Sequence, residues 1–197
     1  MTITSYGKGV FTIANYLSPS ECAHYIAMGE HMGYEESEVS LHTGSRLMKE
    51  IRNNQRVIFD DPAMAAHLFE RARTTLPAEI LGWRLQGFNE RMRFYRYGPS
   101  EYFRWHKDGS YRRDVEEESM LTFMIYLNDD FDGGNTEFKA LTIAPQQGMA
   151  LVFPHRIVHQ GNETSAGTKY VLRTDVMYRL RDGWALGEAG NTAPSQA

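Results

Sequence analysis

A chain of 197 residues can form one domain with a sizeable core, and its net charge of -4 argues against a dedicated nucleic-acid binder, which carries a basic excess. The only cysteine, Cys22, excludes an internal disulfide framework and any multi-cysteine zinc site. The opening M-T-I-T-S-Y-G-K-G lacks a charged-then-apolar leader and no apolar run is long enough to cross a bilayer, so a cytoplasmic protein without a membrane or nucleic-acid partner is expected.

In chain order, Val10 to Leu17 reads as a strand, and Ser18-Pro19 then supplies an N-cap followed by proline at the first helical position. Cys22, Tyr25, Ile26 and Met32 follow on or near one helical face. Gly33 to Ser45 is polar and glycine-punctuated, a loop or a pair of irregular strands, and Arg46 to Arg56 is rich in cations and amides. A second helix begins at Asp60 or Asp61 and runs through Met64, Leu68, Phe69 and Ala72 to about Leu76. Past Gly82 the pattern turns extended. Strands are predicted over Arg91 to Tyr97, Met120 to Leu127, Thr142 to Ala144, Met149 to Phe153 and Lys169 to Tyr178, with turn residues between them. Many short strands with turn chemistry between them predict a mainly β (α+β) jelly roll or sandwich, with the two helices outside one sheet. No repeat or linker interrupts residues 1–182, which read as one domain: helical support over about 1–82 and a jelly-roll core over about 83–182. The small, polar residues 183–197 read as a mobile tail.

Chemistry concentrates at F-R-W-H-K-D-G-S, where His106 and Asp108 sit as a strand runs into a turn, and at V-F-P-H-R-I-V-H-Q-G, where His159 follows an apolar strand. Two imidazoles and one carboxylate hold Fe(II) on one face and leave three positions for chemistry. His155 is the rival third ligand. Four residues from His159, it would share a helical face with it, but Pro154 and the β-prone residues before it oppose a helix, and no glutamate follows His155 as in a zinc protease. His24, His31, His42 and His67 read as ordinary helix or loop residues.

Around this set, R-F-Y-R-Y-G-P, H-K-D, L-T-F-M-I-Y-L-N-D with G-G-N-T-E-F, A-P-Q-Q-G-M-A-L-V-F-P and H-Q-G with G-T-K-Y together resemble the 2-oxoglutarate and Fe(II)-dependent dioxygenases, in particular the prolyl 4-hydroxylase-like branch. The resemblance spans Arg91 to Tyr178. It implies a double-stranded β-helix (a cupin-like jelly roll), an iron triad of His106, Asp108 and His159, and a 2-oxoglutarate site. In that site Lys169 pairs with the distal carboxylate, Tyr126 shares it, and Tyr97 lies at the co-substrate's other end. Burying such a dianion requires a partner cation, since an unpaired buried carboxylate costs several kcal/mol. Arg173 competes for that role, because Lys169, Val171, Arg173 and Asp175 share one face of a strand; it could equally pair with Asp175.

The implied activity is hydroxylation of an unactivated C–H bond with Fe(II), 2-oxoglutarate and O2, ascorbate acting in support, and with succinate and CO2 as products. A prolyl or other side chain in a protein or peptide is the leading substrate, a free amino acid or other small metabolite the alternative, and a non-catalytic metal- or sugar-binding jelly roll the reading from another class. Retention of Asp108 implies hydroxylation rather than halogenation. Arg46, Lys49, Arg52 and Arg56, with Tyr111, Arg112 and Arg113, either receive an acidic substrate or form a solvated charged surface paired with Glu116, Glu117 and Glu118.

Overall fold

The computed structural model describes residues 1–41 and 44–181; the tail expected over 183–197 and His42 lie outside them. Its helices obey the local signals. The first, Pro19–Met32, is capped by Ser18, whose hydroxyl accepts from the Glu21 amide while the Glu21 carboxylate accepts from the Ser18 amide, a reciprocal capping box. The second, Pro62–Ala72, is capped by Asp61 and ends a turn earlier than expected, although Leu76 beyond it remains buried. Among the described residues, no helix is long and apolar enough to cross a membrane.

Ten strands form the larger sheet and five the smaller. The strand Lys169–Leu180 organises the larger one: it pairs along one edge with Glu117–Tyr126 and along the other first with Arg91–Tyr97 and then with Trp83–Phe88. The break between those two partners falls at Asn89, whose amide donates to the Asp175 carbonyl and whose own carbonyl accepts from the Thr174 hydroxyl. Period-two alternation then sorts side chains to two faces. Leu121, Phe123 and Ile125 join Phe94, Leu172 and the helix residues Cys22 and Leu68 in one core. From the intervening positions Tyr126, Tyr97, Val171, Leu151 and Phe153 meet Phe138 of the smaller sheet in a second. The larger sheet is thus covered on both faces, by helices on one and by the smaller sheet on the other, which is the jelly roll with supporting helices that the pattern predicted.

The smaller sheet departs most from expectation. Its strand Glu101–His106 is the one expected to run into the turn at Asp108, but Thr136–Phe138 and His159–Ala166 were not anticipated, because one face meets solvent and H-Q-G-N-E-T-S-A carries almost no apolar signal. An unexpected strand Thr2–Gly7, exposed throughout, also hairpins onto Val10–Ala14, and Gln55–Asp60 joins the larger sheet just before the second helix.

Candidate active site

His106 ends one strand of the smaller sheet and His159 begins its neighbour, and the antiparallel register places the two directly opposite one another. Asp108 reaches the same point from the turn beyond His106, where its amide donates to the His155 carbonyl. One ligating atom from each of the three residues lies within 4.8 Å of the others. Both imidazoles are oriented alike: Nδ1 of His106 lies 2.7 Å from the Arg104 carbonyl and Nδ1 of His159 lies 3.0 Å from the Ile157 carbonyl. A carbonyl only accepts, so each Nδ1 carries the hydrogen and each Nε2 keeps its lone pair. Those Nε2 atoms stand 3.6 and 3.7 Å from the Asp108 oxygens. Burial pushes His159 down to about 4, which keeps it neutral and able to ligate. Burial alone would raise Asp108, but Arg173 beside it and the two imidazoles hold it well below the usual carboxylate range.

His155 faces away from this point. The Tyr111 amide donates to Ser119 Oγ, leaving that hydroxyl to donate to His155 Nε2 at 2.9 Å. On its other side, His155 Nδ1 meets Thr122 Oγ1 at 2.9 Å, and Thr122 donates onward to Asp108 Oδ2 at 2.6 Å. Every group has one role in this chain only if His155 is neutral, as its burial favours. His155 therefore orients the carboxylate through Thr122.

One cavity is lined by His106, Asp108, His159, Lys169, Tyr97 and Arg173. Lys169 is 2% exposed, its ammonium donates to the Gly134 carbonyl at 2.5 Å, and no carboxylate pairs with it among the described residues. Burial pulls it down to about 7. Gly134 is held at φ +63°, and a Cβ there would meet the Phe131 ring and the Lys169 stem at 2.8 and 3.1 Å, so glycine is required for its carbonyl to reach the ammonium. Arg173 is engaged elsewhere: it donates to Asp108 Oδ1 at 2.8 Å and to Asp175 Oδ1 at 3.2 Å. The donor set fits both groups that the resemblance implies. Two neutral imidazoles and an ionised carboxylate suit Fe(II), and a buried cation without a counter-ion suits the distal carboxylate of 2-oxoglutarate.

Both tyrosine rings lie near the Lys169 ammonium, 5.1 Å for Tyr97 and 5.5 Å for Tyr126, so Tyr97 alone departs from the position that the resemblance implies. Tyr126 is fully buried and its hydroxyl donates to Thr136 Oγ1 at 2.7 Å; Thr136 lines the cavity, with Tyr126 behind it. Tyr97 lies across the sheet register from Lys169, with the ammonium 5.1 Å from its ring, so it sits at the cation's end of the cavity rather than the opposite one. Toward the candidate iron ligands the inward residue is Tyr95, which sequence reasoning passed over. Burial raises its phenol, but Arg173, Arg52 and Arg93 together bring it net below the ordinary value. Thr122 was missed as well, although its place between Leu121 and Phe123 marks a polar residue on the inward face of an apolar strand.

The cations near the metal pair also separate. Lys49 pairs with Glu36, Arg112 with Glu118 at 2.7 Å, and Arg113 with Glu90 and Glu117, as a solvated surface would. Arg52 and Arg56 instead line a half-open cleft of about 550 Å³ beside His106 and Asp108, together with Tyr111.

A jelly roll whose smaller sheet and the turn beyond it bring two histidines and an aspartate to one point carries the ligand set of a mononuclear iron oxygenase. Residues 92–174 match the family model of the 2OG-Fe(II) oxygenase superfamily. That family uses Fe(II), 2-oxoglutarate and O2. The chain is similar to prolyl hydroxylases. It is 20% identical to prolyl 4-hydroxylase 1 of Arabidopsis thaliana over 201 aligned residues, covering 85% of this chain and 68% of that one. It shares its fold with the viral collagen prolyl hydroxylase of Paramecium Bursaria Chlorella virus-1, solved with 2-oxoglutarate, at a TM-score of 0.64, 20% identity and coverage of 88% and 98%. A Trichoplax adhaerens prolyl hydroxylase, solved with a hypoxia-inducible-factor peptide, superposes at a TM-score of 0.63 with 16% identity and coverage of 86% and 83%.

Proposed function

We propose that this protein is an Fe(II)- and 2-oxoglutarate-dependent hydroxylase acting on a prolyl or other side chain of a protein or peptide. The observation that carries the reading is one cavity in which the ligating atoms of His106, Asp108 and His159 converge and Lys169 presents a buried cation without a counter-ion. In this reading the three residues hold the metal, Lys169 receives the distal carboxylate of 2-oxoglutarate, and Thr136, backed by Tyr126, lines that end. Bound together, the metal and 2-oxoglutarate would use O2 to oxidise an unactivated C–H bond, one oxygen atom going to the substrate as hydroxyl and the other to succinate, with loss of CO2.

The chain's own part is positional. The Arg104 and Ile157 carbonyls fix the tautomer of each histidine, and Arg173 and Thr122 hold the Asp108 oxygens, so the ligand set is preorganised before any metal arrives. Phe153, Val171 and Met124 line the cavity and exclude water from the reacting centre. The half-open cleft beside His106 supports a peptide over a fully enclosed metabolite. The peptide in the Trichoplax enzyme's complex supports the same choice by analogy. A cytoplasmic location belongs to the same proposal, supported by a single, buried, unpaired cysteine.

Anaerobic addition of Fe(II) and then 2-oxoglutarate to the metal-free protein tests this reading. The visible charge-transfer band of the chelate should form in the wild type and be absent in His159→Ala. A folded wild type that gives no band would favour a non-catalytic jelly roll.

A further inference from the structure

Arg52 is 5% exposed, yet among the described residues its guanidinium meets no carboxylate and its Nη2 atom has no hydrogen-bond partner. Its position is imposed by the backbone. Residues around Arg52 pair with the strand Glu101–His106: Arg52 bridges to Phe103, the Arg104 amide donates to the Ile51 carbonyl at 2.8 Å, and the Tyr102 amide donates to Asn53 Oδ1 at 2.7 Å. The guanidinium carbon lies 4.7 Å from the Tyr95 ring centroid and 4.4 Å from that of Phe103. Its Nε is anchored to Asn54 Oδ1 at 2.6 Å. Two rings and one amide therefore hold the fork in a set plane. Phe103 stacks on His106 with centroids 3.4 Å apart and planes within 11°, which ties the guanidinium to an iron-ligand candidate through a single aromatic ring.

Two of the neighbouring cations are paired with carboxylates. Arg93 donates to Asp175 at 3.1 Å, and Arg173 is bound to Asp108 and Asp175. Arg56, close by, is pushed down by burial and by Arg52 itself, with Glu38 acting in the opposite sense. Arg52 lines the outer cleft and not the inner cavity, whereas Lys169 lines the inner cavity and not the cleft; His106, Asp108 and Tyr95 line both. Two buried cations thus line the two adjoining spaces that share His106 and Asp108.

We propose that Arg52 is the seat of a substrate carboxylate, so that the molecule hydroxylated here is an acid whose reacting carbon is placed by that carboxylate. The inference rests on the oxygenase reading and adds the substrate class to it. A planar guanidinium held between two rings matches the two oxygens of a carboxylate, and an arriving anion removes the penalty of a buried unpaired charge. The carboxylate has two sources: an acidic residue or C-terminus of a peptide, or a free amino acid.

The test follows the Arg52 Nε–H resonance in protein labelled with 15N-arginine and loaded with Zn(II) and 2-oxoglutarate, the resonance being assigned by its loss in Arg52→Lys. Sodium acetate should move it saturably in the millimolar range, and sodium chloride at equal ionic strength should not. Arg52→Lys, which keeps the charge without the fork, should bind a proline-containing acid at least tenfold more weakly while melting close to the wild type. Two matched pairs identify the source: Ac-Ala-Pro-Asp-Ala-NH2 against its Asn analogue, and L-proline against L-prolinamide. Each acid should displace acetate from Arg52 better than its amide twin, and the tighter acid assigns the source. Acetate and chloride acting alike, or acid and amide competing equally, would overturn the seat. A missing Fe(II)–2-oxoglutarate band with an intact acetate response would instead sink the oxygenase reading and leave the anion seat standing.

Discussion

The strand Glu117–Tyr126, in the larger sheet, is buried at most of its ten positions, whereas His159–Ala166 in the smaller sheet is buried at two of its eight, His159 and Thr164. The first meets helices on one face and the second sheet on the other; the second keeps one face toward solvent. Stability in this molecule therefore comes chiefly from the larger sheet, while both candidate iron-binding histidines sit on the smaller one. A polar, half-open sheet gains from this placement, because the ligands reach the seam between the sheets while the cleft beside them stays open to substrate.

Removing a ligand should have the largest effect on chemistry and little on the fold. His106→Ala, Asp108→Ala and His159→Ala should each reduce succinate formation below detection and weaken Fe(II) binding, with melting temperatures near the wild type for the two histidine variants and lower for Asp108→Ala, which leaves Arg173 short of a buried partner; turnover in any one would remove that residue from the triad. The contrasting change is Phe123→Ala in the larger sheet, whose ring lies 5.0 Å from that of Tyr16 and 4.6 Å from that of Phe88. Denaturant unfolding should show a loss of about 3–5 kcal/mol there, as for other large-to-small core changes, with unchanged iron affinity in the folded fraction. Equal losses of stability from both classes of variant would break the division of labour.

The seam between the sheets gives smaller, more specific effects. Lys169→Ala should raise the 2-oxoglutarate requirement by about a hundredfold, the scale of one lost charged hydrogen bond, and do so more than Arg173→Ala. Arg173→Ala should act mainly on iron affinity through Asp108, and the reverse ranking in steady-state kinetics would make Arg173 the anchor. Thr122→Val, which removes the hydrogen bond to Asp108, should lower Fe(II) affinity by about 10–100-fold, read by metal titration.

The mildest expected effect is a pH dependence. Burial sets Lys169 at about 7 against an ordinary 10.5, so over that window the ligand-free folded protein holds fewer protons than the unfolded chain, and its stability rises with pH. A carboxylate arriving at Lys169 favours the charged form. Binding of 2-oxoglutarate should therefore take up a proton above about pH 7 and weaken as pH rises, with no such dependence in Lys169→Met; calorimetry in buffers of different ionisation enthalpy would measure it.

How much of this was legible in the sequence followed burial. Apolar alternation exposed the strands around Phe94, Phe123 and Leu172, and Ser18-Pro19 and Asp61-Pro62 marked both helix starts, because these signals are local and each is enforced by the core. The triad residues were visible as types and spacings, and Lys169 through the resemblance. The strand that carries His159 was not legible, since solvent on one face removes the apolar signal from His159–Ala166, whereas the aromatic Glu101–His106 runs into its turn as expected.

By itself, then, the sequence determined the mainly β class, the helix caps, the chemical identity of the candidate metal ligands and the face shared by Lys169, Val171 and Arg173. The tertiary structure alone decided what each charge meets. Lys169 and Arg173 lie on one strand face four residues apart, yet Arg173 finds Asp108 and Asp175, Lys169 finds a backbone carbonyl and two tyrosine rings, and Arg52, remote in sequence, is stacked on Phe103 with no counter-ion among the described residues. Pairing of charges depends on contacts between distant segments, and local pattern carries no information about which segments meet.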